Sequence, residues 1–193
     1  MKKLVTIILS AVIFLSGCSG QLMQKTDNEA SKKTSIMPEA KAKNDNNAFK
    51  NAKPQISDEE MKMVELYTTV MKEAFKIENG GNGFIAVRLD TLQGLSDAAK
   101  ERVLENFKDL SANIYSYEQI KDDNTKIEWY EGKFPNRTIN GTILSVNLIK
   151  YKNNVAQIQA ISWFGSLGAV LPKYEAVYKN GKWQLKTIGF AIS

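Results

Sequence analysis

Few side chains in this 193-residue sequence could act as nucleophiles or general bases. There is no histidine, which excludes Ser-His-Asp and Cys-His catalysis, histidine metal sites and the usual general base near neutral pH. Cys18 is the single cysteine, so no intramolecular disulfide can form. No S-x-x-K or G-x-x-x-x-G-K-[ST] pattern occurs, so neither a Ser-Lys nucleophile nor a phosphate-binding loop is predicted.

Carboxylates and tyrosines are the remaining groups that could transfer a proton. Asp90 ends a predicted strand and Tyr174 lies on a later one, and an aspartate base with a tyrosine donor can replace histidine in ketosteroid-isomerase-type chemistry. Glycosidase chemistry would need two facing carboxylates such as Glu128 and Glu175, and nothing in the sequence places them so. The acidic run 122–124 lacks the downstream Gly and Glu of a calcium loop, so we predict no metal and no cofactor.

Aromatic side chains cluster in the second half of the chain. They fall on or beside predicted strands: Trp129, Tyr130, Trp163, Phe164, Tyr174, Tyr178 and Trp183. Aromatic residues on a curved sheet can line a pocket for an apolar or saccharide ligand, although core packing competes with that interpretation. The candidate ligand pocket consists of Trp129, Tyr130, Trp163, Tyr174 and Asp90.

The N-terminus has the organisation of an export signal. Two lysines after Met1 form a positive region, and the apolar stretch 4–15 is too short for a comfortable membrane-spanning helix. The sequence Leu15-Ser16-Gly17-Cys18 then resembles the lipobox of bacterial lipoproteins. The resemblance implies that Cys18 is acylated and that residues 1–17 are removed as a signal peptide. We therefore expect a lipid anchor in the cell membrane, on its extracytoplasmic face.

Residues 18–56 comprise this cysteine and a predicted tether. The 38 residues after Cys18 are rich in Lys, Asn, Ala, Ser and Gln and show no apolar period. Such a segment buries too little surface to offset its chain entropy, so we predict that it is disordered. Its root-mean-square span would be about 35 Å, enough to hold a domain away from the lipid headgroups.

The positive charge of the chain lies outside the predicted domain. The whole chain has 26 basic and 21 acidic side chains, whereas residues 57–193 have 17 of each. The pI of 9.1 therefore describes the signal and the tether. We expect the tether to favour an anionic envelope surface, and we expect no nucleic-acid partner.

Residues 57–193 are predicted to form one domain that opens with helices. Ser57 and Glu60 have the spacing of a capping box, and apolar residues recur at helical spacing until Asn79. Ser96 caps a second predicted helix over 97–110.

Strands are predicted over 83–90, 126–130, 141–152, 155–164, 170–179 and 182–192. Asn180-Gly181 is a strong hairpin signal, and 132–136 is a predicted turn. Pro172 lacks a ladder donor and is expected near a strand start or on an edge. For 111–125 the sequence predicts no definite conformation.

This order predicts an α+β domain with N-terminal helices packed on one face of a curved antiparallel sheet. It resembles the NTF2-like and cystatin-like superfamily, above all in the closing hairpin 174–188, where an aromatic strand turns through Asn180-Gly181 into a K-W-x-L strand. The resemblance implies a cone-shaped cavity between sheet and helices. The strand and helix over 84–110 depart from it, since a simpler helical hairpin is expected there.

Three functions are compatible with these features. The first is a non-enzymatic lipoprotein, attached to the bilayer through acylated Cys18, whose domain binds a ligand, an envelope component or a partner protein. The second is an isomerase-type enzyme that uses Asp90 and Tyr174. The third is a structural or assembly module that forms a homodimer through its sheet.

Overall fold

The computed structural model describes residues 55–193, so the predictions for the signal peptide, Cys18 and almost all of the tether lie outside the described residues. Helix α1, Asp58–Ile77, begins at the predicted capping box. The Ser57 side chain accepts a hydrogen bond from the Glu60 amide at 3.3 Å, and the Glu60 carboxylate accepts one from the Ser57 amide at 3.0 Å. The predicted start of this helix is confirmed.

Helix α2, Asp97–Glu105, is shorter than predicted but starts at the predicted cap, Ser96. After Glu105 the chain continues in tighter turns, because the Phe107 and Leu110 amides donate to carbonyls three residues back instead of four. The other carboxylate oxygen of Glu60 accepts a hydrogen bond from the Ser96 amide at 2.9 Å. One side chain therefore joins the N-termini of both helices.

Replacing Glu60 with glutamine should lower the melting temperature at neutral pH. Hydrogen bonds from Ser96, and then from Ser57, lower the pKa of Glu60 from 4.5 to about 2. A lowered folded-state pKa stabilises the fold above about pH 4.5, and that stabilisation disappears as the pH falls towards 2.

Thermal melts of both proteins between pH 7 and pH 2 test this expectation. The difference in melting temperature should shrink on acidification. The variant Glu101→Gln, on the exposed side of α2, controls for the loss of one negative charge. A difference in melting temperature that stayed constant from pH 7 to pH 2 would contradict this link between Glu60 ionisation and stability.

Nine strands form one sheet: β1 Phe84–Val87, β2 Ile114–Ser116, β3 Ile127–Tyr130, β4 Phe134–Thr138, β5 Gly141–Lys152, β6 Val155–Gly165, β7 Gly168–Val170, β8 Lys173–Lys179 and β9 Lys182–Gly189. The main path is β2-β1-β5-β6-β4-β3, and β6 also pairs with β7 and β8, which continues to β9. The domain is therefore mixed α+β, with a few helices and a large mixed sheet.

The prediction of an antiparallel sheet is wrong for one part of it. Strand β1 pairs in parallel with both β2 and β5. The chain crosses over through α2 between β1 and β2, and such a crossover returns the chain in the same direction. From β5 onwards all pairings are antiparallel, as predicted.

Three stretches differ locally from their predictions. The predicted turn 132–136 instead contains most of β4, which pairs with β3 around a bulge at Trp129. The predicted strand 170–179 divides into β7 and β8, because Pro172 lies between them, directly before a strand start as expected. The segment 111–125 contains β2 and a short helix α3, Tyr117–Ile120.

The main core lies between α1, α2 and one face of the sheet. Tyr67 and Leu66 of α1 are fully buried there, together with Phe107 and Leu144. The indole of Trp183 donates a hydrogen bond to the Lys62 carbonyl at 2.8 Å, which fixes the closing hairpin to α1. A smaller cluster of buried apolar residues forms separately around β1, β3 and α3: Phe84, Ala86, Ile120, Ile127 and Ile143.

Candidate functional site

The two faces of strands β5 and β6 have different surroundings. Alternate residues such as Leu144 and Ile158 belong to the main core beneath α1. The residues between them point away from α1, because successive side chains of a strand point to opposite faces. We call this second side of β5, β6, β8 and β9 the outer face.

A depression of about 320 Å³ lies at one end of the outer face. We call it the aromatic groove, and its lining residues are Arg88, Tyr117, Pro135, Ile143, Ser145, Ile161 and Trp163. The Arg88 guanidinium lies 5.2 Å from the centre of the Tyr117 ring. It also donates to the Asp90 carboxylate, with the shorter contact at 3.0 Å. The groove thus combines aromatic walls with one oriented cation.

The structure distributes the predicted pocket residues over several places. Trp163 lines the groove, and Asp90 contacts it through Arg88. Trp129 packs with Trp163 against the smaller apolar cluster. Tyr130 is 61% exposed and does not line the groove. Tyr174 is buried in the main core beneath the opposite face.

The side chains considered for proton transfer or glycosidase chemistry are not brought together. Burial raises the pKa of Tyr174 to about 12, while Asp90 is exposed and paired with Arg88. Glu128 accepts hydrogen bonds from Asn136 and Arg137 on β4, which lower its pKa. Glu175 lies on β8, in register with Gln157 and Lys186.

Six residues of the groove were not predicted. Strand alternation could have placed Ile143, Ser145 and Ile161 beside Trp163, since all four lie on the same side of β5 and β6. Arg88, Tyr117 and Pro135 come from three other segments of the chain. Only tertiary packing brings those three to the end of the sheet.

A larger depression of about 750 Å³ runs along the exposed side of α1. Its charged residues include Lys62, Lys72 and Lys76, and each of these forms a salt bridge with a neighbouring carboxylate. One aromatic residue, Tyr178, lines this depression, whereas both Tyr117 and Trp163 line the aromatic groove. The aromatic groove is therefore the better candidate.

Within residues 55–193 no three potential metal ligands cluster, and no helix there is long and apolar enough to cross a membrane. Comparisons with protein-family models, with curated proteins and with solved structures found no match for this chain.

Proposed function

We propose that this chain is a lipid-anchored extracytoplasmic binding protein without catalytic activity. The lipobox-like Leu15-Ser16-Gly17-Cys18 and the long polar tether support the anchor. Acylation by more than one chain would make the attachment effectively permanent, because each buried CH₂ contributes about 0.8 kcal/mol. The tether would then hold the domain within reach of envelope components.

We also propose that the domain is an NTF2-like or cystatin-like variant. Helix α1 packs on a sheet whose later strands form an antiparallel meander. The meander closes through Asn180 and Gly181, both with positive φ. The parallel strand β1 departs from that pattern. Because fully buried side chains of α1 lie against the sheet, we place the ligand in the groove on the other face.

The observation that carries the binding function is the aromatic groove itself. Trp163 and Tyr117 are only partly buried, and Arg88 is exposed beside them. An indole face can pack against the C–H face of a sugar ring or another flat apolar group, and the N–H groups of Arg88 that do not bond Asp90 can donate to an anion. The separation of Asp90 from Tyr174 supports binding over the isomerase-type alternative.

Replacing Trp163 with leucine should weaken ligand binding about thirtyfold, since truncation of an aromatic residue at the centre of a binding site costs about 2 kcal/mol. Soluble glycan fragments of the bacterial envelope would be titrated into the full-length protein in nonionic detergent, with calorimetric detection. The matched control is Tyr130→Leu, an exposed aromatic residue outside the groove.

The control should keep its affinity. Equal affinities for the two variants would refute the groove as the site. Conversion of the fragments by the unmodified protein, detected by mass spectrometry, would refute the non-catalytic function.

Replacing Cys18 with serine should release the protein from the membrane. A hydroxyl cannot form the thioether that the lipobox resemblance implies, so no acyl chains would be attached. Fractionation of cells that express either protein tests this, with labelled palmitate as a second readout. Retention of label on the Cys18→Ser variant would contradict the anchor.

A further inference from the structure

The domain has a net charge of zero, but two consecutive parts of its sequence carry net charges of opposite sign. Residues 57–140 carry 11 basic and 16 acidic side chains. Residues 141–193, which form β5 to β9, carry six lysines and a single acid, Glu175. The excess of positive over negative charge therefore belongs to strands β5 to β9.

Strand register places all six lysines on the outer face. Lys152 lies in register with Val155, Val177 and Gln184, and Lys150 lies in register with Gln157, Glu175 and Lys186. The other three lysines lie on the same side of the sheet: Lys173 and Lys179 on β8, and Lys182 on β9. We call the six lysines with Glu175 the lysine field.

The lysine field has no internal compensation beyond Glu175. Among residues 55–193, none of its lysines forms a salt bridge, whereas five lysines of residues 57–140 do. Five of the six are exposed and Lys173 is half-buried. Like charges held this close repel one another, so a bound anion reduces the electrostatic repulsion among these lysines.

Neutral hydrogen-bonding side chains connect the lysine field to the aromatic groove. Gln157 and Gln159 follow each other along β6, with Asn147 opposite Gln159 on β5. The next residues on this side of β6 are Ile161 and Trp163, which line the groove. The outer face therefore forms a continuous track from cations, through amides, to an aromatic wall.

We propose that this track binds a linear glycan that carries carboxylate or phosphate groups. The proposal rests on the binding function proposed above and specifies its ligand. Lys150 and Lys152 are separated by about 7 Å along β5, and Lys150 and Lys186 by about 14 Å across three strand spacings. Anions repeated along a sugar chain can contact several of these lysines, while the amides accept and donate to hydroxyl groups and a sugar ring packs on Trp163.

Two other polyanionic surfaces fit the track less well. A bilayer is bound through inserted aromatic and leucine side chains as well as cations, whereas the exposed apolar residues beside these lysines are only β-branched: Ile149, Val155, Val177 and Ile188. Single-stranded nucleic acid uses several aromatic platforms for successive bases, and the lysine field contains none.

Calorimetric titration of the full-length protein in nonionic detergent with an oligogalacturonate tests the proposal. The parallel probes are neutral maltoheptaose, inorganic polyphosphate, a single-stranded oligonucleotide of equal charge, and vesicles that contain phosphatidylglycerol. We expect the charged glycan to bind most tightly and its affinity to fall with added salt. The double variant Lys150→Gln, Lys186→Gln should bind the oligogalacturonate roughly tenfold to thirtyfold more weakly.

The matched control is Lys100→Gln, Lys108→Gln, which removes two lysines of the α2 region and should leave the affinity unchanged. Trp163→Leu should weaken binding of the oligogalacturonate but not of polyphosphate. Equal losses in both double variants, or tighter binding of the oligonucleotide or the vesicles, would overturn the proposal. If a neutral glycan binds through Trp163 and neither double variant changes its affinity, this inference fails and the proposed function stands.

Discussion

Replacing Tyr67 with alanine should lower the free energy of unfolding by about 4 kcal/mol, the largest loss of stability expected for a single truncation in this fold. Tyr67 lies in the middle of α1 and is fully buried in the main core. Its hydroxyl donates a hydrogen bond to the Gln93 carbonyl at 2.8 Å. Truncation would leave a cavity the size of the ring and a carbonyl without its donor.

A second substitution separates these two contributions. Tyr67→Phe keeps the ring and removes only the hydroxyl, so we expect a loss of about 1 kcal/mol. Met61→Ala, on the same helix but 41% exposed, should cost much less and serves as the control. Urea denaturation followed by tryptophan fluorescence measures all three. A loss below 2 kcal/mol for Tyr67→Ala would show that this part of the core relaxes around the cavity.

Replacing Gly141 with alanine should destabilise the domain by about 2 kcal/mol, because a well-packed site would be overfilled. An added Cβ would overlap the ring of Phe84, which pairs with Gly141 across β1 and β5. Phe84 belongs to the smaller apolar cluster, so its ring cannot move freely. The clash would push apart the parallel strands at the end of the sheet nearest the groove.

Gly165→Ala is a matched control at another buried strand glycine. There the nearest atom to an added Cβ, in Arg137, is 3.5 Å away, an ordinary contact. Combining Gly141→Ala with Phe84→Leu should lower the free energy of unfolding by less than the sum of the two single changes, since the smaller leucine side chain leaves room for the added Cβ. Denaturation midpoints of the four proteins measure this coupling. Strict additivity would show that the ring of Phe84 is not the obstacle.

Local signals identified the ends of several elements from the sequence. The capping box at Ser57 and the cap at Ser96 predicted where α1 and α2 begin, because a cap depends on residues within one turn. The parallel placement of β1 escaped prediction, since strand pairing depends on partners distant in the chain. Strand β4 was missed because 132–136 was predicted as a turn, although its Pro135 is tolerated in a strand where the ladder is bulged.

The candidate site was only partly predictable for the same reason. Trp163 was identified by its residue type, and it does line the groove. Tyr174 has the same aromatic character but lies in the main core on the opposite side of the sheet. Which aromatic residue is buried depends on the face that α1 covers, and residue type does not reveal that.

The sequence by itself determined the absence of histidine chemistry, the lipobox resemblance that predicts an anchor at Cys18, and the unequal division of charge along the domain. These are properties of composition and of short contiguous patterns. Tertiary structure alone decided that six lysines of separate strands share one face and that Arg88 and Tyr117 meet Trp163 at its end. Strand register and packing against α1 set those relations, since both depend on contacts between residues far apart in the chain.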